Sequence, residues 1–104
     1  MWPVAVKFSM LPDDGFSAED LIAAAREAFD QDTYTLTGWG GSKTLTVATR
    51  QDCSDLLTAI EATLLQVGRN LVDRGGESRR WPVDIPGPVE RRFGFEFLQV
   101  LVKP

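Results

Sequence analysis

Carboxylates, arginines and tryptophans are the residues of this chain that could bind a ligand or take part in chemistry. The chain has 104 residues, with one cysteine and no histidine. Without histidine, no imidazole can act as an acid or a base, and a Cys/His zinc site cannot form. A single cysteine also excludes an intramolecular disulfide. The sequence therefore predicts no cofactor and no metal, and it favours a binding protein over an enzyme.

Several acidic residues stand where predicted strands lead into predicted helices. Asp13 and Asp14 follow the first strand, and Asp52 follows the third. If these two strands are parallel neighbours, both connections open at one edge of the sheet and the carboxylates gather there. Such a cluster could dock a partner with a basic surface, because a field of one sign speeds association. The alternative is that these residues only cap the helices and complement their dipoles.

Basic residues are concentrated near the carboxyl end of the chain. Residues 69–104 carry seven basic and five acidic side chains, whereas residues 1–68 carry four and ten. Arg79 and Arg80 precede Trp81, and arginine beside an aromatic residue is typical of phosphate or carboxylate recognition. The alternative is a solvated loop that neutralises the acidic remainder. A net charge of −4 and a pI near 4.7 oppose non-specific binding of nucleic acid.

Two tryptophans are predicted to be exposed on loops. Trp39 lies in a glycine-rich hairpin tip and Trp81 in a long loop, and tryptophan is enriched at interface hot spots. Folding of Trp39 over the sheet edge is the alternative. We expect Trp39→Ala or Trp81→Ala to weaken partner binding and to change the free energy of unfolding by no more than about 1 kcal/mol. The predicted partner-binding residues are Trp39, Trp81, Arg79, Arg80, Asp13, Asp14 and Asp52.

The hydrophobic pattern predicts the element order β-α-β-β-α-β. One helix is predicted to begin at Ser17 in a capping box with Asp20 and to end near Asp30. A second helix is predicted to end near Asp73, with Asp52, Thr49 or Ser54 as alternative N-caps. Residues 74–92 lack periodicity and are predicted as a long irregular loop with a short strand near Trp81–Ile85. The predicted strands are Trp2–Met10, Thr33–Thr37, Lys43–Thr49 and Phe93–Val102.

This order predicts a single α+β domain over residues 1–104, a two-layer sandwich of the ferredoxin-like type. Two helices would cover one face of a four-stranded antiparallel sheet, with a different pairing of the last strand as the main alternative. The apolar face of the last strand changes side after Phe97, so either a bulge lies there or both faces are buried. We interpret Phe93, Phe95 and Phe97 as core residues. Arg91–Phe95 partly resembles the RNA-recognition motif, but the match falls on the wrong strand and is rejected.

The predicted function is that of a non-enzymatic, small acidic binding protein. It would act on a larger macromolecule by protein–protein interaction, as an inhibitor, immunity protein or adaptor. One alternative is a cofactor-independent enzyme or ligand carrier, because the element order resembles the dimeric α+β barrel families. The discriminating feature would be a closed pocket lined by Tyr34, Phe93, Phe95 or Phe97. The other alternative is nucleic-acid or phospholigand binding through the arginine-rich loop.

The sequence predicts a cytoplasmic location. No apolar stretch approaches the roughly 20 residues of a membrane span, and Met1–Pro3 lacks the cationic region of a signal peptide. A protein partner is favoured, a nucleic acid is not, and a homodimer is compatible with all three functions.

Overall fold

The computed structural model describes residues 1–38 and 42–102 as a sheet with two helices packed on one face. The helices are α1 (Ala18–Ala28) and α2 (Leu56–Val72), and a short 3₁₀ turn covers Gln31–Thr33. The predicted α+β class is confirmed. The five strands are β1 (Trp2–Leu11), β2 (Tyr34–Thr37), β3 (Lys43–Gln51), β4 (Gly76–Arg79) and β5 (Phe93–Val102).

The sheet has the order β2-β3-β1-β5-β4. β1 is antiparallel to both β3 and β5, and β2 is antiparallel to β3, whereas β4 is parallel to β5. The prediction of four strands, all antiparallel, is therefore wrong in two respects: the sheet has five strands, and β4 is parallel to its neighbour β5. The predicted short strand near Trp81–Ile85 is also wrong, because the strand in this segment is Gly76–Arg79. Its four residues lack apolar alternation, so only the pairing with β5 reveals it.

One face of the sheet forms the core with the helices. Along β1, alternate residues from Val4 to Met10 are fully buried, because a strand directs successive side chains to opposite faces. Phe93 and Phe95 of β5 are also fully buried, which confirms their interpretation as core residues. The β1–β5 register shifts between Lys7 and Phe8 and leaves Leu98 as the extra residue. This is the bulge predicted near Phe97.

Local hydrogen bonds explain where the helices begin. The Ser17 hydroxyl accepts from the Asp20 N–H at 3.3 Å, and the Asp20 carboxylate accepts from the Ser17 N–H at 2.8 Å, so the predicted capping box is confirmed. α2 is capped by Asp55, which accepts from the Thr58 N–H at 2.8 Å. The three predicted N-caps are wrong because β3 extends to Gln51 and delays the turn into the helix.

Candidate functional site

The predicted acidic patch does not form, because β1 and β3 are antiparallel rather than parallel neighbours. Trp2 pairs with Gln51 at one end of the two strands, and Met10 pairs with Lys43 at the other. Asp13 and Asp14 therefore lie at the opposite end of the sheet from Asp52. At about 3.3 Å per residue, a ten-residue strand separates them by roughly 30 Å. The prediction of an acidic patch failed because it assumed the wrong strand direction. β2 is parallel to β1, and β3, which lies between them, is antiparallel to both.

Two arginines of the carboxyl-terminal region, Arg80 and Arg91, pair with carboxylates of the same chain. Arg80 Nε lies 3.5 Å from Glu96, and Arg91 Nε lies 3.4 Å from Asp13 and 3.2 Å from Glu77. These pairs are largely exposed, so each stabilises the fold by about 1 kcal/mol at most. They agree with the alternative in which the loop neutralises acidic residues.

The side chain of Arg79 covers the backbone of β5. A Cβ atom placed on Gly94 would lie 3.1 Å from Arg79 Cζ. Gly94 thus gives the guanidinium group room to lie flat against the sheet. Arg79 is half-buried in this position, and its role as a partner-binding residue stays a prediction.

The structure describes only one of the two tryptophans that were predicted to be exposed. Trp39 lies outside the described residues, so its exposure stays a prediction. The prediction that Trp81 is exposed is wrong, because its ring packs edge-on against three phenylalanines and its Nε1–H donates to the Leu64 carbonyl at 3.0 Å. Arg80 has a φ of +55°, which turns the chain out of the sheet and directs Trp81 onto the helix-covered face. The ring centroids lie 6.0 Å from Phe8, 5.0 Å from Phe95 and 5.9 Å from Phe97.

The aromatic residues named for a barrel pocket also face the helices. Phe95 packs against Phe8 and Trp81, and Tyr34 packs against Phe29 of the core. The opposite face of the sheet is polar at its centre, where Lys7 pairs with Thr46 and Ser9 with Thr44. Two such faces brought together would not enclose a pocket lined by Tyr34, Phe93, Phe95 or Phe97.

A groove of about 830 Å³ lies between α1, the end of α2 and residues 85–92. We call it the helix groove. Apolar residues that line it include Ala23, Ala24, Val72 and Ile85, and we call these four residues its floor. Gly75, with a φ of +91°, lets the chain turn at the end of α2, and the Arg92 side chain packs directly on it. Sequence reasoning missed this groove because its walls are distant in the chain.

The rim of the helix groove is charged, with an excess of carboxylates. One of its arginines, Arg74, is occupied by the fold: it donates to the Asn70 carbonyl at 3.0 Å and to the Glu27 carbonyl at 2.8 Å. It thereby satisfies the carboxyl ends of both helices, where cations are favourable. Within the described residues, no carboxylate or guanidinium of this rim forms an ion pair. The charged rim residues are Asp20, Glu27, Asp73, Glu90, Arg69, Arg74 and Arg92.

Across residues 1–38 and 42–102, no three acidic or cysteine side chains are grouped to hold a metal ion. No helix described there combines the length and apolar character that a membrane crossing requires. Hydrogen bonds from the Thr58 hydroxyl and N–H hold the pKa of Asp55 below its ordinary value. Comparison with protein families, curated proteins and solved structures finds no match.

Proposed function

We propose that this protein is a small non-enzymatic binding protein that docks a segment of a larger protein partner in the helix groove. The observation that carries the proposal is the combination of an apolar floor with a rim of four carboxylates and three arginines that form no ion pair among the described residues. Such a surface buries apolar side chains at its centre and keeps charges at its edge, which is the usual anatomy of a protein interface. An inhibitor, immunity protein or adaptor would act in this way.

The charges of the groove favour a basic segment. Four carboxylates and three arginines lie on the rim, which leaves one negative charge in excess. Arg74 is held against helix carbonyls, and the Asp20 carboxylate accepts from the Ser17 N–H. Lysine or arginine side chains of a partner would therefore be attracted to the rim. Ala23 and Ala24 leave space on the floor for apolar side chains of the same segment.

Anion binding is the second candidate, and it also concerns this groove. Arg69 and Arg92 lie at the rim without an ion pair among the described residues, and arginine is well suited to phosphate. The carboxylates beside them oppose a phosphate or a nucleic acid, so this candidate receives less support. Arg80 and Arg91, which a nucleic-acid site in the loop would use, already pair with carboxylates.

The experiment is a selection of random peptides displayed on phage against the purified protein. We expect the selected peptides to carry a net positive charge together with apolar residues. Glu27→Lys should weaken their binding by about tenfold or more, because it reverses a rim charge. Ala23→Trp should weaken it similarly, since this residue is exposed in the groove and a larger side chain would fill the floor.

Glu61→Lys is the matched control, because Glu61 is an exposed helical glutamate outside the groove and undergoes the same change of charge. Its effect on the dissociation constant should remain below about twofold. Thermal unfolding of each variant checks that the fold is retained. Selected peptides that are neutral or acidic, or equal losses in Glu27→Lys and Glu61→Lys, would refute the proposal. Inorganic phosphate that competes with the peptides would favour the anion-binding candidate.

A further inference from the structure

The outer edge of β5 is paired along less than half of its length. β4 lies beside Phe93–Glu96 and then ends, because the chain leaves the sheet at Arg80. Within residues 1–38 and 42–102, the segment Phe97–Val102 pairs with β1 alone. We call its outer side the free β5 edge. About half of the backbone N–H and C=O groups of a strand point to each side, so this edge presents unpaired donors and acceptors.

The side chains of the free β5 edge are uncharged and, apart from Gln99, apolar. Leu98 is 47% exposed and Val102 is 38% exposed, and Gln99 is the only polar residue of the segment. Sheet edges that must stay unpaired usually carry lysine or proline, and neither occurs in Phe97–Val102. The bulge at Leu98 lies near one end, and the register with β1 is regular from Gln99 to Val102.

Other exposed apolar residues lie at the same end of the sheet. Met1 is 79% exposed and precedes the β1 segment that pairs with the end of β5. Leu57 is 78% exposed at the start of α2, which follows the end of β3 beside Trp2. Of the large apolar residues that are exposed in the described chain, only Val89 lies elsewhere, at the helix groove.

We propose that the free β5 edge pairs with the same edge of a second copy of this chain, antiparallel about a twofold axis, to form a homodimer. Such pairing brings each residue of the segment against another residue of the same segment. Charged side chains would meet like charges there, which is destabilising, whereas Phe97–Val102 carries none in a chain that is 25% charged. The edge is thus compatible with itself and offers no charge by which to select a foreign strand.

The size of this contact predicts a weak, reversible dimer. A single pair of six-residue strands is about 20 Å long. It buries less surface than the roughly 1,200–2,000 Å² of stable interfaces. We therefore expect a dissociation constant of about 0.1 mM.

Sedimentation velocity over a range of concentrations tests the proposal. The average mass of the full chain should rise from 11.5 kDa towards twice that value between about 10 µM and 1 mM, as mass action requires. When all six residues pair about the axis, Leu98 lies opposite Leu101 of the second copy. Leu98→Lys should therefore remain monomeric over the whole range, because each introduced lysine would be placed against an apolar side chain. Leu57→Lys is the control, since it removes a more exposed apolar residue off the edge and should leave the dimer intact.

A mixture of two variants with opposite charges provides the decisive test of the dimer. Leu98→Lys and Leu101→Glu should each be monomeric, and an equimolar mixture should dimerise, because the introduced lysine and glutamate then face each other across the axis. Circular dichroism of each variant checks the fold. A wild-type chain that stays monomeric at 1 mM (~10 times the expected dissociation constant) would overturn the proposal. Equal losses in Leu57→Lys and Leu98→Lys, or a mixture that stays monomeric, would overturn it as well.

The dimer does not depend on the proposed function. None of the residues of the free β5 edge lines the helix groove. Glu27→Lys should therefore leave the sedimentation profile unchanged, and Leu98→Lys should leave peptide binding unchanged. Failure of one proposal is thereby distinguished from failure of the other.

Discussion

Replacement of Trp81 by alanine distinguishes a core residue from a surface residue. The indole contacts Phe8, Phe95 and Phe97 edge-on, and its N–H donates to the Leu64 carbonyl at 3.0 Å. Truncation of a buried tryptophan costs about 3–5 kcal/mol. Trp81 is half-buried, so we place the loss near the lower limit, at about 3 kcal/mol, of which the hydrogen bond contributes about 1 kcal/mol.

The assay is equilibrium unfolding in urea, followed by circular dichroism, together with thermal unfolding. A loss of about 3 kcal/mol corresponds to a fall of roughly 15 °C in the midpoint for a chain of this size. Trp81→Phe retains an aromatic ring but lacks the N–H donor, so it should lose only about 1 kcal/mol. Val89→Ala is the control in the same segment: its side chain is fully exposed, and the change should stay within about 0.5 kcal/mol.

The result that would refute this reasoning is a Trp81→Ala variant within about 1 kcal/mol of the wild type. That outcome would restore Trp81 as a surface residue available to a partner. A loss in Trp81→Phe as large as in Trp81→Ala would instead show that the hydrogen bond, rather than the aromatic packing, stabilises this segment.

Three further predictions concern the helices. Asp55→Ala should lower the thermal midpoint at neutral pH, and Asp52→Ala should not. Because folding lowers the pKa of Asp55, the stabilisation by this carboxylate is present above pH 3.8 and is lost as the pH falls through the lowered value. Thermal unfolding of the wild type and of the variant at pH 7 and in acid would show this difference. Arg74→Met should lower the free energy of unfolding by about 1–2 kcal/mol in urea titrations, because carbonyls at the ends of both helices lose their hydrogen-bond donor. A change below about 0.5 kcal/mol would contradict this prediction. A Cβ atom on Gly68 would overlap Ile85 Cδ1. Gly68→Ala should therefore destabilise the protein despite a helix-propensity gain of about 1 kcal/mol. In a double-mutant cycle, Ile85→Val, which removes that atom, should recover most of the loss.

Elements with local signals could be predicted from the sequence. β1 follows from strict alternation, and α1 follows from a capping box made by residues three apart in the chain. The bulge near Phe97 follows from the change of apolar face within one strand. In each case the interactions that define the feature lie within a few residues, so the pattern contains them.

Features that depend on distant partners could not be predicted. β4 has no apolar alternation and exists only because it lies beside β5. The direction of β3 relative to β1 placed Asp52 far from Asp13, although both follow strands. Trp81 was predicted to be exposed because its loop is rich in proline, glycine and arginine, whereas the phenylalanines that cover it come from β1 and β5.

The sequence by itself determined the α+β class, the positions of most strands and both helices, and the absence of histidine chemistry, because composition, periodicity and capping are properties of short stretches of chain. Only the tertiary structure decided that the helix groove exists, that Arg74 joins the ends of both helices, and that β4 pairs with β5 only as far as Glu96. Surfaces of this kind arise from the relative placement of elements. That placement is set by strand order and direction, to which side chains far apart in the sequence contribute together.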